Sequence, residues 1–136
     1  MDCIFCKIAE GTIPSKKVYE DELCLAFHDI NPQAPVHVLV IPKTHIASAD
    51  EVSTENSALV AHIFEVIPKV ASAAGITNGY RVITNCGEDA CQTVKHIHFH
   101  IVPRYGSEPV TFESRQGDMA ELAALAERLR AAFAAG

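Results

Sequence analysis

The sequence predicts an α+β fold: an antiparallel sheet of five strands with two main helices. Short β-branched and apolar segments occur in neighbouring groups separated by turn residues, and they do not alternate with helices as in a parallel sheet. Apolar residues recur at helical spacing in the middle of the chain and again near its C-terminal end. The 136 residues, 49% apolar and 21% charged, suit one domain with its own core.

The N-terminal part is predicted to hold a short helix and three strands. The helix covers Ile4–Glu10 and ends at Gly11. The strands, of which the first two form a hairpin through a polar turn, are Lys16–Glu20, Leu23–Phe27 and Val36–Ile41. A rigid loop with two prolines precedes the third strand. That strand stops at Pro42, since proline cannot donate to a sheet ladder.

A longer helix is predicted after the third strand. Ser53 is a candidate N-cap, and apolar residues recur at helical spacing from Leu59 to Val70. Pro68 lies within this pattern and should kink or split the helix, because its ring clashes with the preceding turn. The remaining elements are two strands joined by a small polar loop, and a final helix capped by Asp118: Tyr80–Thr84, Lys95–Val102 and the segment after residue 118.

Charge and cysteine content exclude some classes of protein. Seventeen acidic and eleven basic residues give a net charge of −6, which argues against a surface that coats nucleic acid. A small phosphate-bearing ligand in a cleft stays compatible with this charge. Five cysteines cannot all pair within one chain, and neither a signal peptide nor an apolar run of membrane-spanning length is present. We therefore expect a reduced, cytoplasmic protein without a membrane partner.

A run of alternating histidines is the strongest functional signal. In the stretch HIHFHIV, His96, His98 and His100 are two residues apart, so a strand would place them on one face. Such imidazoles can be metal ligands, or one can attack phosphorus while a second protonates the leaving group. Solvated polar positions on an amphipathic strand are the third interpretation, which strict alternation of three histidines disfavours.

The N-terminal C-x-x-C pair, Cys3 and Cys6, has two interpretations. It can be a redox dithiol or half of a zinc site. A redox pair normally opens a helix in a thioredoxin-like βαβ unit, and the surrounding pattern lacks one. Zinc would need two more ligands, which the seven histidines can supply.

Residues 2–104 resemble the histidine triad (HIT) family, whose motif His-x-His-x-His followed by apolar residues reads HIHFHIV here. Flanking stretches resemble nucleoside phosphoramidases and related zinc-bearing bacterial proteins: DCIFCKIAEGTIPSKKVYED, LAFHDINPQAPVHVLVIPKTHI and GYRVITNCGEDACQTVKH. The resemblance implies one HIT domain over residues 1–136, with the family core at 1–104 and a C-terminal loop and helix at 105–136. It also implies a homodimer whose sheet continues across the two-fold axis.

The resemblance assigns roles to single residues. His98 would be the nucleophile that takes up a purine nucleoside monophosphate, while His100 would contact the phosphate and help protonate the leaving amine. His37 would complete the polar shell, and the Thr93 hydroxyl and the Cys91 backbone N–H would donate to the phosphate. The implied nucleotide-binding residues are Phe27, His28, Asp29, Ile30, Asn85, Cys91, Gln92, Thr93, His98 and His100. The implied zinc ligands, forming a closed structural site, are Cys3, Cys6, His45 and His96.

Two departures from the family pattern affect the expected substrate. Cys91 replaces a glycine of many relatives, which should narrow the site or require an ordinary φ. Pro103-Arg104 after the triad resembles dinucleoside polyphosphate hydrolases. We expect a phosphoramidase-like nucleotidyl hydrolase or transferase. The alternatives are a dinucleoside polyphosphate hydrolase, a nucleotide-binding regulator with incidental catalysis, and a metalloenzyme with the triad as ligands.

Overall fold

A computed structural model describes residues 3–104 and 116–135. The chain divides into two compact units, Met1–Gly106 and Ser107–Gly136. The first unit contains α1 (Ile4–Glu10), β1 (Lys17–Glu20), β2 (Cys24–His28), β3 (Val38–Pro42), α2 (Ser57–Ala73), β4 (Tyr80–Ile83) and β5 (Phe99–Pro103). The second contains α3 (Met119–Ala135), and the predicted loop at 105–115 lies outside the described residues. The predicted α+β fold is confirmed.

The five strands form one antiparallel sheet in the order β1-β2-β3-β5-β4. β3 is central and pairs with β2 on one side and β5 on the other. Its register places Leu39 opposite His100 and Val40 opposite Phe99. The second half of the histidine run therefore lies in the middle of the sheet.

Both faces of the sheet are covered. On one face, Val38 and Val40 of β3 belong to a buried apolar cluster that includes Ile63 and Val70 of α2. On the other face, Leu39 and Ile41 belong to a second cluster, with Phe5 and Ile8 of α1. Because successive side chains of a strand point to opposite faces, the two-sided covering explains why every residue of β3 is buried.

α2 differs from the prediction at its start and at its proline. Ser53 is not the N-cap: the helix begins at Ser57, and Ser53 instead closes the preceding turn, where its N–H donates to the Asn56 side-chain oxygen over 2.8 Å. Pro68 lies inside one continuous helix and does not split it. The buried face of α2 holds the helix together across this missing donor, since residues on both sides of Pro68 are buried in the same cluster.

Other predicted boundaries shift by a few residues. β2 extends to His28, and β3 begins at Val38 because the chain leaves its proline loop later than predicted. α1 ends at Gly11 as predicted, with a φ of +86° that favours glycine. In the second unit, the Asp118 carboxylate accepts hydrogen bonds from the N–H groups of Ala120 and Glu121, as expected of an N-cap. No described helix is long and apolar enough to cross a membrane.

Candidate active site and metal cluster

The three triad histidines face the α1 side of the sheet, but the first two precede the ladder. β5 begins at Phe99, and not at Lys95 as predicted, because Ile97 donates its N–H to the Ile46 carbonyl over 2.6 Å in place of a strand partner. The alternation persists through this irregular stretch. His96 is 0% exposed and His98 is 5% exposed, which excludes solvated surface positions.

A cavity of about 310 Å³ lies against His98 and His100. Its walls are mostly apolar, as in small-molecule sites, with a few polar groups among them. The apolar lining residues are Ile4, Phe5, Ile8, Ile13, Pro14, Phe27, Ile30, Leu39 and Val94. The polar ones are Ser15, Lys16, His28, Asp29, Thr93, His98 and His100.

The hydrogen bond of His98 determines which of its nitrogens is free. Nδ1 lies 2.8 Å from the backbone carbonyl of His96. A carbonyl only accepts, so Nδ1 carries the proton and donates it. Nε2 of the neutral ring then keeps its lone pair, on a side chain that lines the cavity.

A second chain of hydrogen bonds determines the tautomers of His37 and His100. The Gln33 N–H donates to His37 Nδ1 over 3.1 Å, so the His37 proton lies on Nε2. That Nε2–H donates to His100 Nδ1 over 2.9 Å, which leaves the His100 proton on Nε2. His100 Nε2 is buried without a hydrogen-bond partner among the described residues. The chain of bonds therefore ends in an unused donor on a residue of the cavity wall.

Burial keeps both of these imidazoles neutral near pH 7. Desolvation lowers the pKa of His37, and the charge of Asp29, whose Oδ2 lies 3.6 Å away, opposes this only in part. Desolvation, with the neighbouring His98 and His37, lowers the pKa of His100 to about 4. His100 thus offers a neutral N–H donor until a negative charge enters the cavity.

Cys3, Cys6, His45 and His96 converge at the start of α1, and their ligand atoms all lie within 4.8 Å of one another. Cys3 Sγ lies 3.4 Å from His96 Nδ1, Cys6 Sγ lies 3.4 Å from His45 Nδ1, and the two Nδ1 atoms are 3.2 Å apart. Tetrahedral zinc, with bonds of about 2.3 Å to sulfur and 2.0–2.1 Å to nitrogen, places sulfur and nitrogen ~3.5 Å apart and two nitrogens ~3.4 Å apart. The donor set therefore fits zinc.

The surroundings of the cluster orient its ligands. His96 Nε2 donates to the Pro42 carbonyl over 2.8 Å, so Nδ1 presents its lone pair to the cluster. Burial lowers the pKa of His96, which favours the neutral, ligating form. Burial and the neighbouring Cys3 raise the pKa of Cys6 to about 11 in the absence of metal, so metal binding has to release thiol protons.

Comparison with known proteins assigns the family. The HIT domain model matches residues 10–107. The chain belongs to the HIT domain family. It is 51% identical to the structure of a histidine triad protein from Clostridium difficile, with a TM-score of 0.77 over 83% of this chain and 97% of that chain.

Two further HIT structures are similar over most of the fold. One is a HIT family hydrolase from Legionella pneumophila Philadelphia 1, with 45% identity and a TM-score of 0.74 over 82% of this chain and 97% of that chain. The other is a histidine triad nucleotide-binding protein from Candida albicans, with 34% identity and a TM-score of 0.86 over 98% of both chains.

Within this HIT domain, most of the predicted nucleotide-binding residues meet at the cavity. Those that line it are Phe27, His28, Asp29, Ile30, Thr93, His98 and His100. Asn85, Cys91 and Gln92 do not line it. Gln92 instead fastens the loop, because its amide donates to the carbonyls of Ala47 and Val94.

Cys91, in the loop between β4 and β5, corrects two expectations. Its φ is +65°, in the left-handed region, so the expected ordinary φ is wrong. Its N–H donates to the Glu88 carbonyl over 2.9 Å, so the donor predicted for phosphate is already used. Cys91 lies in a tight turn that the Gln92 N–H closes by donating to the Gly87 carbonyl over 3.1 Å.

α1 and the loop after it supply one wall of the cavity, which the sequence analysis did not predict. Ile4, Phe5 and Ile8 of α1 line the cavity, as do Ser15 and Lys16. The spacing of Phe5 and Ile8 was the available signal, since residues three apart share one face of a helix.

The metal-ligand alternative for the triad is not favoured: among the described residues, His96 and His100 belong to different ligand groups and His98 to none.

Proposed function

We propose that this protein is a hydrolase or transferase that cleaves conjugates of purine nucleoside 5′-monophosphates, with His98 Nε2 as nucleophile. The observation that carries the proposal is the His98–His96 carbonyl bond of 2.8 Å, which places the proton of the neutral ring on Nδ1 and its lone pair on Nε2, on a side chain that lines the cavity. The hydrolase from Legionella pneumophila and the nucleotide-binding protein from Candida albicans, as these relatives are named, support the two halves of the proposal.

The reaction proceeds in two displacements at phosphorus. His98 Nε2 attacks the α-phosphorus and forms a P–N bond, while the bond to the leaving amine breaks and its electron pair goes to the amine nitrogen. The amine takes up a proton, which His100 Nε2 is placed to give once the phosphate charge raises the pKa of His100. Water then attacks phosphorus and gives a proton back to His100 Nε2, the P–Nε2 bond breaks with its electron pair returning to His98, and the nucleoside monophosphate leaves.

The rest of the cavity accommodates the nucleoside. Phe5, Ile8 and Phe27 provide apolar surface for a planar base. Asp29 keeps acceptor capacity for ribose hydroxyls, since its Oδ1 accepts one bond, from the Asn31 N–H over 2.8 Å. The Thr93 hydroxyl supplies a donor for a phosphate oxygen. These groups favour a purine nucleoside monophosphate over its phosphate alone.

A phosphoramidate is the substrate class that we propose, ahead of a dinucleoside polyphosphate. Pro103-Arg104, the feature that resembled polyphosphate hydrolases, closes the β4–β5 pair, because the Arg104 N–H donates to the Gly79 carbonyl over 2.9 Å. Neither residue lines the cavity.

A substrate panel with paired variants tests the activity. We expect turnover of adenosine 5′-phosphoramidate by the wild type and its loss in His98→Ala. His62→Gln is the matched control, because His62 bonds Asp21 over 2.6 Å and does not line the cavity. Equal turnover by wild type and His98→Ala would contradict the mechanism. Uniformly negligible kcat/KM across phosphoramidates and polyphosphates, with micromolar nucleotide binding, would favour the regulator.

We also propose that Cys3, Cys6, His45 and His96 hold a structural zinc ion. Four protein ligands would leave no position for water or substrate, so the ion would stabilise the fold and take no part in the reaction. Metal analysis of the purified wild type and of Cys3→Ser tests this. We expect about one zinc per chain in the wild type and loss in the variant, with Cys86→Ser as the thiol control outside the cluster.

A homodimer is the proposed assembly. β4 is an edge strand, and edge strands offer unpaired backbone groups to a second chain. Val82 on this strand is 37% exposed, and Phe64 of α2 is 50% exposed. Light scattering over a concentration series should give the dimer mass, and a monomer at every concentration would refute the assembly. The cytoplasmic location stays a prediction, with which five cysteines outside any disulfide agree.

A further inference from the structure

α1 takes part in both sites of the molecule. Cys3 caps the helix, its sulfur accepting the Cys6 N–H over 3.3 Å, and both thiols belong to the metal cluster. Phe5, which lies between the two cysteines in the sequence, and Ile8 line the cavity. A helix of seven residues has little stability of its own, so its position depends on what holds its ends.

Phe5 is the side chain that touches both sites. Its ring centroid lies 5.0 Å from that of His98 and 6.0 Å from that of His96, with interplanar angles of 85° and 76°. It also packs edge-on against Phe27, at 5.6 Å. Phe5 is 7% exposed, so these contacts surround it. The buried ring of Phe5 therefore contacts the proposed metal ligand His96, the proposed nucleophile His98 and the cavity-lining Phe27.

We propose that Phe5 is a positioning residue that couples the metal cluster to the nucleotide cavity, so that metal and nucleotide strengthen each other's binding. This inference rests on the proposed function and the proposed zinc site. With metal bound, Cys3 and Cys6 hold the first turn of α1 against His45 and His96, and Phe5 lies in register with the His98 ring. Without metal, that turn is released, and the ring that orients His98 and completes the cavity wall loses its support.

Thermodynamic linkage makes the coupling measurable without any turnover. If zinc raises the affinity for adenosine 5′-monophosphate by some factor, the nucleotide raises the affinity for zinc by the same factor. Calorimetry would give the nucleotide Kd for the zinc-loaded and the zinc-free protein. Competition with a chromogenic chelator would give the zinc Kd with and without saturating nucleotide. We expect both ratios to agree at about fivefold or more, the usual range of such couplings.

Two variants identify the residue responsible. Phe5→Leu keeps an apolar side chain but removes the ring contacts, so both ratios should fall towards one while zinc is still bound. Ile30→Ala is the matched control, since Ile30 lines the cavity from outside α1 and is 89% exposed. It should weaken nucleotide binding and leave the coupling ratio at its wild-type value.

The outcomes distinguish failure of the proposed function, of the coupling and of the role of Phe5. Wild-type protein that binds zinc but not the nucleotide would contradict the proposed function, and the coupling with it. A protein that binds both, with ratios of one, would contradict the coupling alone. Wild-type ratios in Phe5→Leu would contradict the role of Phe5. If Phe5→Leu does not fold, the two wild-type ratios still decide whether the sites are coupled.

Discussion

Residues 96–101 contribute side chains of different chemistry to the two faces of the sheet. On the α2 face, Ile97, Phe99 and Ile101 are at most 4% exposed and pack in an apolar cluster. On the α1 face, the alternate residues are imidazoles, each oriented by a hydrogen bond: to the Pro42 carbonyl, the His96 carbonyl and His37. The α2 face stabilises the fold through burial of apolar area, whereas the α1 face buries polar groups that need specific partners.

Truncation on the α2 face should give the largest loss of stability. Phe99→Ala removes a buried ring that also packs against Phe64 at 5.4 Å, and we expect a loss of about 3–5 kcal/mol. His98→Ala removes a smaller ring and one hydrogen bond at the wall of an existing cavity, so the loss should be smaller, about 1–2 kcal/mol. Urea denaturation of both variants measures the difference. Equal losses would mean that the two faces contribute alike.

Removal of zinc should be the next largest effect, confined to the α1 face. At a free zinc concentration a thousandfold above its Kd, bound metal stabilises the native state by about 4 kcal/mol. Thermal melts with zinc and with excess chelator should therefore differ in the wild type and in Cys86→Ser, but not in Cys3→Ser. A melting temperature of the wild type that ignores the chelator would contradict the metal site.

Acid should destabilise the protein through the buried His100. Its pKa is about 4 in the folded protein and about 6.5 in the unfolded chain, so the unfolded state binds more protons between these values. Stability attributable to His100 is complete above pH 6.5 and falls as the pH drops towards 4, by about 3 kcal/mol in total. His100→Gln should flatten this part of the urea-derived profile. Loss of zinc in acid would lower the stability of the wild type and of His100→Gln alike, so the difference between their profiles reports on His100. Parallel profiles of stability against pH would contradict the role assigned to His100.

A substitution on neither face should have the smallest effect. Cys91 has a φ of +65°, and a non-glycine residue there carries roughly 1 kcal/mol of strain. Cys91→Gly relieves it, and the greater freedom of glycine in the unfolded chain offsets part of the gain. We expect stabilisation of less than about 1 kcal/mol in urea denaturation. Destabilisation would show that the thiol makes a contact of its own.

The separation into two faces could be predicted from the sequence because it depends only on the period of two. The alternation HIHFHIV places Ile97 and Phe99 opposite His98 whether or not the segment is hydrogen-bonded as a strand. The structure confirms the sides while moving the start of β5 to Phe99. The first residue of a strand depends on which hydrogen-bond partners lie nearby in the fold, and here the Ile46 carbonyl accepts the hydrogen bond of the Ile97 N–H.

The contributions of α1 and of the loop that contains Cys91 could not be predicted in the same way. Cys3 Sγ and His96 Nδ1 lie 3.4 Å apart in the cluster, although 93 positions separate the two residues in the sequence. Only the family resemblance predicted that they would lie together. The spacing of Phe5 and Ile8 predicts a shared helix face, but nothing in the sequence pattern shows that this face packs against His98. Tautomers depend on single carbonyls, such as that of His96, whose position follows from the fold.

A covalent intermediate on His98 is the most direct test of the account. Acid-sensitive adducts would be preserved by quenching the reaction with adenosine 5′-phosphoramidate into base within milliseconds to seconds, followed by peptide mapping by mass spectrometry. We expect an adenylyl group on the peptide that carries His98, formed and lost at rates consistent with turnover, and its absence in His98→Ala. Turnover without any adduct, retained in His98→Ala, would contradict it.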